Sequence, residues 1–370
     1  MDMTDTGGRL DMTDTGGRLD MTRAGGCMDL TELRATVRDA DAVVAVGGRT
    51  QWEVGGAVAA DAVEVRAPAG VIRYEPADLT ITVGAGTRVA DLDAVLAEHG
   101  QECPLDPRDA DATVGGVLSA GLSGLRRLRH GPVRDRVLEV RVVTADGRVV
   151  KGGGPTVKNV SGYDLPRLLV GSLGTIGVLA QVTLRAQPRP ATSTWATTRD
   201  SPSDVRARLF RPSCIAWDGS RTCVLLEGHP ADVDAQLRAA GLTPVDKQPA
   251  LPDGPHRGRI SIPPGGVAAL GPELDVAGVR WLAEVGVGTV HVAAEDEAAL
   301  AAARRCAAGA GGWLLREAGA PGLDPFGLPF PNGALLTRIK RAFDPTGKLG
   351  PGRLPIAGPY SRPPLEVERS

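Results

Sequence analysis

The chain has 370 residues, 42% hydrophobic and 23% charged, which is enough to bury a sizeable core in two domains and shows no sign of general disorder. Aromatic residues make up 3% and the formal net charge is −2, so the stacking platforms and basic footprint of a nucleic-acid or anionic-membrane binder are missing. The five cysteines (Cys27, Cys103, Cys214, Cys223, Cys306) lie far apart with no C-x-x-C pair, which excludes a disulfide scaffold and the usual zinc or iron–sulfur runs.

No run reaches ~18 uninterrupted apolar residues, so no transmembrane segment is predicted. The start lacks a charged–apolar–small signal pattern. The expected location is cytoplasmic, with any membrane association made through partner subunits. Residues 1–26 carry a direct repeat, DMTDTGGRL at 2–10 and again at 11–19. It is polar and without apolar periodicity, and predicts a disordered tail.

A short helix is predicted near 30–38, then a buried strand over 42–46 ending at Gly47-Gly48. Residues 79–83 alternate with period two and predict another strand. Thr87 is placed to cap the next helix, with Val89, Leu92, Val95 and Leu96 on one face and Gly100 as its stop. Strands over 137–144 and 148–150 flank the hairpin signal Asp146-Gly147. Asp164 is placed to cap a helix carrying Leu165, Leu168, Leu169 and Val170, with Pro166 tolerated in its first turn. Gly171 ends it, and 178–184 is the following strand.

A proline-rich stretch at 187–190 marks a boundary. Residues 195–320 read as strands alternating with alanine-rich helices such as 295–308. A helix from Pro331 runs through Leu335, Leu336, Ile339 and Phe343 and breaks at Asp344-Pro345. The expected division is a tail (1–26), a first domain (27–188), a second (195–325) and a C-terminal helix with a return segment (326–356).

Three glycine-rich segments could hold a dinucleotide, whose phosphates need close backbone approach and convergent amides. They are residues 47–51 (GGRTQ), 113–124 (TVGGVLSAGLSG) and 171–177 (GSLGTIG). Each is also what a plain tight turn looks like. No G-x-G-x-x-G opens a helix after the first strand, and Gly347-Lys348 lacks the other residues of a phosphate loop.

Taken together and in this order, with Lys158-Asn159-Val160-Ser161-Gly162-Tyr163-Asp164-Leu165 leading into the third, the segments resemble the FAD-binding domain of the vanillyl-alcohol oxidase and p-cresol methylhydroxylase (PCMH-type) superfamily. The tail Phe343-Asp344-Pro345-Thr346-Gly347 with Pro351-Gly352-Arg353 resembles that group's closing helix and return segment. Gly124-Leu125-Arg126-Arg127 with Gly131-Pro132-Val133-Arg134-Asp135 resembles the FAD-binding E-subunit family of bacterial glycolate oxidase complexes.

The resemblance implies an α+β fold: a PCMH-type FAD-binding domain of two α+β subdomains, a reduced α+β cap and a C-terminal return. It implies that Gly47, Gly48, Arg49, Thr50, Gln51, Gly115 and Gly116 meet the FAD pyrophosphate through backbone amides. Thr113, Ser119, Gly121 and Ser123 would lie along the ribityl and flavin side. Gly174, Gly177 and Val178, in and after the third segment, would complete the site, the last two at the adenosine. Where related 2-hydroxy-acid dehydrogenases have asparagines in the second segment this chain has Val117 and Gly121, and their glutamate in the third is Leu173. No histidine occurs in the first segment, so the flavin is expected to be non-covalent.

The family's chemistry is hydride transfer from a substrate α-carbon to flavin N5, with a base or metal handling the hydroxyl proton. None of the five histidines forms a paired ligand spacing, so no metal site is expected. His130 and His291 are the catalytic candidates, each equally readable as an ordinary loop or strand histidine. Arg126, Arg127, Arg129, Arg134 and Arg136 form a basic cluster suited to FAD phosphate, a carboxylate substrate, an acidic partner, or a solvated face.

The function implied is an FAD-binding subunit of a glycolate oxidase complex, working with a catalytic flavoprotein subunit and an iron–sulfur subunit. A stand-alone oxidoreductase of small hydroxy acids or alditols, and a non-catalytic assembly subunit, are the alternatives.

Overall fold

The computed structural model describes residues 28–154, 164–327 and 332–355. The N-terminal repeat, Lys158–Tyr163 and Pro331 lie outside them. In the first of three bodies, the helix Thr31–Asp39 turns Leu33 and Val37 inward onto the strand Val43–Ala45. That strand pairs in parallel with Val63–Val65 and, through one bridge, with Leu349 from the far end of the chain.

The second body is a five-stranded antiparallel sheet ordered Val71–Glu75, Thr80–Gly84, Val178–Arg185, Val137–Val143, Val149–Gly153. Every residue from Val178 to Leu184 is buried because the central strand serves two cores. Val178 and Ala180 enter the core of the first body, whereas Leu179, Val182 and Leu184 pack with the helices Val89–Ala97 and Val114–Ala120. Its internal polar side chains pair sideways, as in the Thr82–Thr183 hydroxyl contact of 2.9 Å. Asp164 caps the helix Leu165–Leu169 by accepting the Arg167 amide at 3.1 Å.

Two expectations are corrected here. Thr87 is not a helix cap: its hydroxyl donates to the Gly84 carbonyl (2.7 Å) and accepts the Gly70 amide (2.8 Å), closing a turn, and Arg88 is the cap residue. The second glycine-rich segment is not a loop. Thr113 accepts the Gly116 amide and starts the helix Val114–Ala120, which Gly121 ends in the left-handed region (φ 70°). The low helix propensity of its glycines is overridden by the burial of Val114, Val117 and Leu118.

The third body is an eight-stranded antiparallel sheet built from two βαββαβ units. In the first, Thr192–Thr198, Cys214–Trp217, Thr222–Gly228 and Thr243–Val245 carry the helices Pro202–Arg208 and Pro230–Ala240. In the second, His256–Ser261, Arg280–Glu284, Thr289–Ala294 and Trp313–Ala318 carry Val267–Val276 and Glu297–Gly309. The units join edge to edge where Ala216 and Trp217 pair with Glu284 and Ala283.

After the helix Gly333–Phe343 the chain returns to the first body. Val43 donates to the Lys348 carbonyl (2.8 Å) and Gly350 donates to the Val43 carbonyl (2.7 Å). The buried Asp344 carboxylate anchors this return by accepting the Leu349 and Lys348 amides.

Candidate functional site

The loop after Val43–Ala45, the start of Val114–Ala120 and the start of Val178–Arg185 wall one cleft between the first two bodies. Gly47, Gly48, Arg49, Thr50, Gln51, Thr113, Gly115, Gly116, Ser119, Gly174 and Val178 all line it. The loop turns sharply, with Arg49 at φ 59°, and among the described residues the amides of Gly47, Gly48, Arg49 and Thr50 donate to no other residue. Consecutive free amides around a left-handed residue form an anion-binding concavity. Gly48 lets this loop press onto the second segment, since a Cβ there would collide with the Asp111 carbonyl.

The amides of the second segment are different. Gly115 donates to the Ala85 carbonyl (2.7 Å) and Gly116 to the Thr113 hydroxyl (3.2 Å). The expectation that both face a pyrophosphate through their amides is therefore corrected; these two glycines contribute close approach. Gly177 does not line the cleft, and a Cβ on it would strike Val142 inside the sheet. Gly121 and Ser123 lie further along, on a second, largely apolar cavity of about 490 Å³ shared with Leu315 and Ile339.

Three features fit a bound dinucleotide. Gly174 (φ 72°) leaves open space that a side chain would fill, its nearest neighbour being Ala45 at 3.5 Å. The Gln51 Oε1 is buried without a partner in the described structure. Arg353 turns a buried guanidinium onto the same cleft.

Gln51 also lines a third cavity of about 400 Å³, walled on its far side by both βαββαβ units through Trp195, Leu225, Arg259 and His291. Arg108, Arg259 and His291 face it together with Ser123. Arg259 binds Glu317 at 2.7 Å and donates to the Ser123 carbonyl at 2.8 Å. Burial alone would raise the Glu317 pKa, but the charge of Arg259 holds it below the ordinary glutamate value. Burial lowers the Arg108 pKa, and its carboxylate partner, Asp253 at 3.2 Å, is mostly exposed. His291 is 3% exposed and its Nε2 lies 2.8 Å from Glu284 Oε1, while its Nδ1 and the other Glu284 oxygen have no partner among the described residues.

His130 lines none of these cavities. It is held between Glu227 and Gln187, at 3.3 Å from each. The basic cluster divides in the same way. Arg126 is locked by Glu102 (2.8 Å), Asp106 (2.7 Å) and Glu227 (3.3 Å), and Arg136 by Gln187 (3.0 Å). Arg134 remains at the surface, and of the five only Arg126 and Arg127 reach a cavity wall. Most of the cluster is therefore internal cement rather than a free basic face. Among the described residues no group of three or more His, Cys, Asp or Glu side chains could hold a metal ion. No described helix is long and apolar enough to cross a membrane.

Nothing in the sequence singled out Arg108 or Arg259, whose convergence depends on tertiary structure, and Arg353 stood in the return-segment motif without a site role. The sequence reading also missed Lys340, whose ammonium ties Thr175 and Leu349 carbonyls (2.7 Å each) to Asp344. Its one sequence signal was the i,i+4 spacing to Asp344.

An open cleft of free amides, glycines and a buried arginine between two α+β bodies, in a chain that adds a separate antiparallel sheet, is the arrangement of an FAD-binding flavoprotein. Residues 27–153 match the family model described as FAD binding domain. The chain is 30% identical to glycolate oxidase subunit GlcE of Escherichia coli (strain K12) over 352 residues, spanning 87% of this chain and 95% of that protein. It belongs to this family of FAD-binding oxidoreductases.

It is also 36% identical to glycolate oxidase subunit GlcD of Bacillus subtilis over 168 residues, and 43% identical to a D-lactate dehydrogenase of Archaeoglobus fulgidus over 106 residues. Those matches span only 36% and 24% of the respective relatives. Among solved structures, alkyldihydroxyacetonephosphate synthase superposes with a TM-score of 0.63 at 13% identity, over 86% of this chain and 74% of that one, which establishes a shared fold.

Proposed function

We propose that the chain is the FAD-binding E-type subunit of a glycolate-oxidising complex, oxidising a small 2-hydroxy acid and passing electrons to a flavoprotein and an iron–sulfur partner. The carrying observation is the arginine-lined cavity that shares Gln51 with the cofactor cleft. The near full-length similarity to GlcE supports the choice of complex.

FAD, non-covalently bound, supplies the hydride acceptor. The free amides at 47–50 and the glycine at 174 hold and admit the dinucleotide. Arg108, whose nearest carboxylate is exposed, takes the substrate carboxylate, with Arg259 beside it. His291, oriented by Glu284, presents Nδ1 to accept the hydroxyl proton as hydride leaves the α-carbon. His130 positions Glu227 and touches no reacting atom.

The test is anaerobic mixing of the purified yellow protein with glycolate and D-lactate, alone and with its partner subunits, followed at the flavin absorbance. Bleaching is expected, and Arg108→Met should raise KM at least tenfold with flavin content unchanged. No bleaching in any combination would reject the reading. Bleaching by the isolated chain, with turnover independent of partners, would favour the stand-alone oxidoreductase, which the self-contained cavity makes the second reading.

A further inference from the structure

Arg353 is an anomaly in electrostatic terms. It is 6% exposed, yet among the described residues no carboxylate lies within ion-pair range. Burial alone pushes its pKa down to about 10. Its Nη1 donates to the carbonyls of Trp52 and Val54, and its guanidinium lies 4.2 Å over the Trp52 ring. Arg49 lies 4.6 Å from the same ring but is neutralised by Glu64. A buried, unneutralised cation is costly unless an anion completes it. The other edge of this guanidinium makes no hydrogen bond to a described residue, and Arg353 lines the same cleft as the loop that carries the free amides of 47–50, packed against the continuation of that loop at Trp52 and Val54.

The residue arrives there on the return segment. Gly56 donates to the Arg353 carbonyl (2.9 Å), and Ala59 to that of Pro351 (3.2 Å). Gly350 and Gly352 both adopt left-handed conformations that turn the segment against the first body. Arg353 lies outside the span of the FAD-binding family match, which ends at residue 153.

We infer that Arg353 is a direct ligand of the cofactor's pyrophosphate, and that FAD binding and docking of residues 348–353 are thermodynamically coupled through it. Anion binding neutralises the guanidinium only while the return segment is in place, so each event strengthens the other. Riboflavin, which carries no phosphate, gains nothing from Arg353.

The test titrates FAD and riboflavin, by flavin fluorescence, into cofactor-stripped wild-type, Arg353→Met and Arg353→Lys proteins. Arg353→Met should weaken FAD binding by 10- to 100-fold, the range a charge-assisted contact gives. It should leave riboflavin binding within twofold, and Arg353→Lys should recover part of the loss. In wild-type protein, FAD and ADP should both slow amide hydrogen exchange across residues 348–355, and riboflavin should not. A folded Arg353→Met protein that binds FAD within twofold of wild type overturns the assignment. If that variant does not fold, wild-type exchange at 348–355 unchanged by ADP overturns it equally.

Discussion

Glu227 joins the cap to the flavin-binding bodies, and its protonation gives the sharpest test of how that joint works. Its carboxylate is almost wholly buried and meets Arg126 and His130, each at 3.3 Å. Burial on its own would raise the pKa; the His130 hydrogen bond and the Arg126 charge instead bring it from the ordinary 4.5 to about 2. At ~1.4 kcal/mol per pKa unit, the ionised form is favoured in the folded chain by about 3 kcal/mol. The folded pKa is the depressed one. The stabilisation is therefore complete above about pH 4.5 and is lost as pH falls towards 2, with about 1 kcal/mol gone at pH 4 and about 2 kcal/mol at pH 3.

Glu227→Gln removes the charge and keeps the shape. Urea unfolding at pH 7 should show a loss of up to about 3 kcal/mol. Arg126 does not become an orphan, because Glu102 and Asp106 still bind it. The gap between wild type and variant should narrow steadily between pH 5 and pH 3. A gap of constant size across that range would refute the electrostatic account and leave packing as the cause. No loss at pH 7 would show that the desolvation of the carboxylate cancels its pairing.

Gly174→Leu should strain a left-handed backbone and put a side chain into the cofactor cleft. Flavin content of the purified variant is expected to fall at least tenfold with circular dichroism unchanged, and full occupancy would remove Gly174 from the site. Cys103 is buried with its thiol pushed up to about 12, and Cys214 is raised as well, in both cases by desolvation. Alkylation at pH 8, mapped by mass spectrometry, should leave both unmodified in the native protein and, among the described cysteines, reach Cys306 first; labelling of Cys103 at the rate of an unfolded peptide would contradict its burial.

Elements were readable where the pattern of burial is written in apolar residues, one face of a helix or an unbroken run in a strand covered on both sides. Val89, Leu92, Val95 and Leu96 were placed on a buried helix face, and all four are buried. The run 178–184 was placed as a strand, and it is the centre of the sheet. The second glycine-rich segment misled because glycine argues against helix locally, whereas the cap at Thr113 and the burial around Leu118 decide the matter. The duplication in the third body was illegible, because its two units share a topology rather than a recognisable motif.

The candidate site divides along the same line. The glycine-rich segments announce themselves in one dimension, since close approach demands glycine wherever it occurs. The charged residues do not. Arg108 and Arg259 come from distant parts of the chain to one cavity, Arg353 comes from the far end to the neighbouring cleft, and each acquires meaning only from the wall it joins. His130 and His291 looked equivalent in sequence. Register separates them: Thr289–Ala294 turns His291 beside Arg259, whereas His130 closes a helical turn against Glu227.

The return of the chain to its first strand also constrains when the protein can become functional. Arg353 bonds Trp52 across 301 positions, and Leu349 completes a core begun by Leu30. During synthesis, the first strands leave the ribosome long before the residues that finish their sheet. Until residues 348–353 follow, one edge of Val43–Ala45 stays unpaired and its apolar side exposed. With Arg353 as a pyrophosphate ligand, flavin loading becomes a late event, after the third body has folded, and a chain halted within Gly333–Phe343 is expected to stay colourless and open to proteolysis.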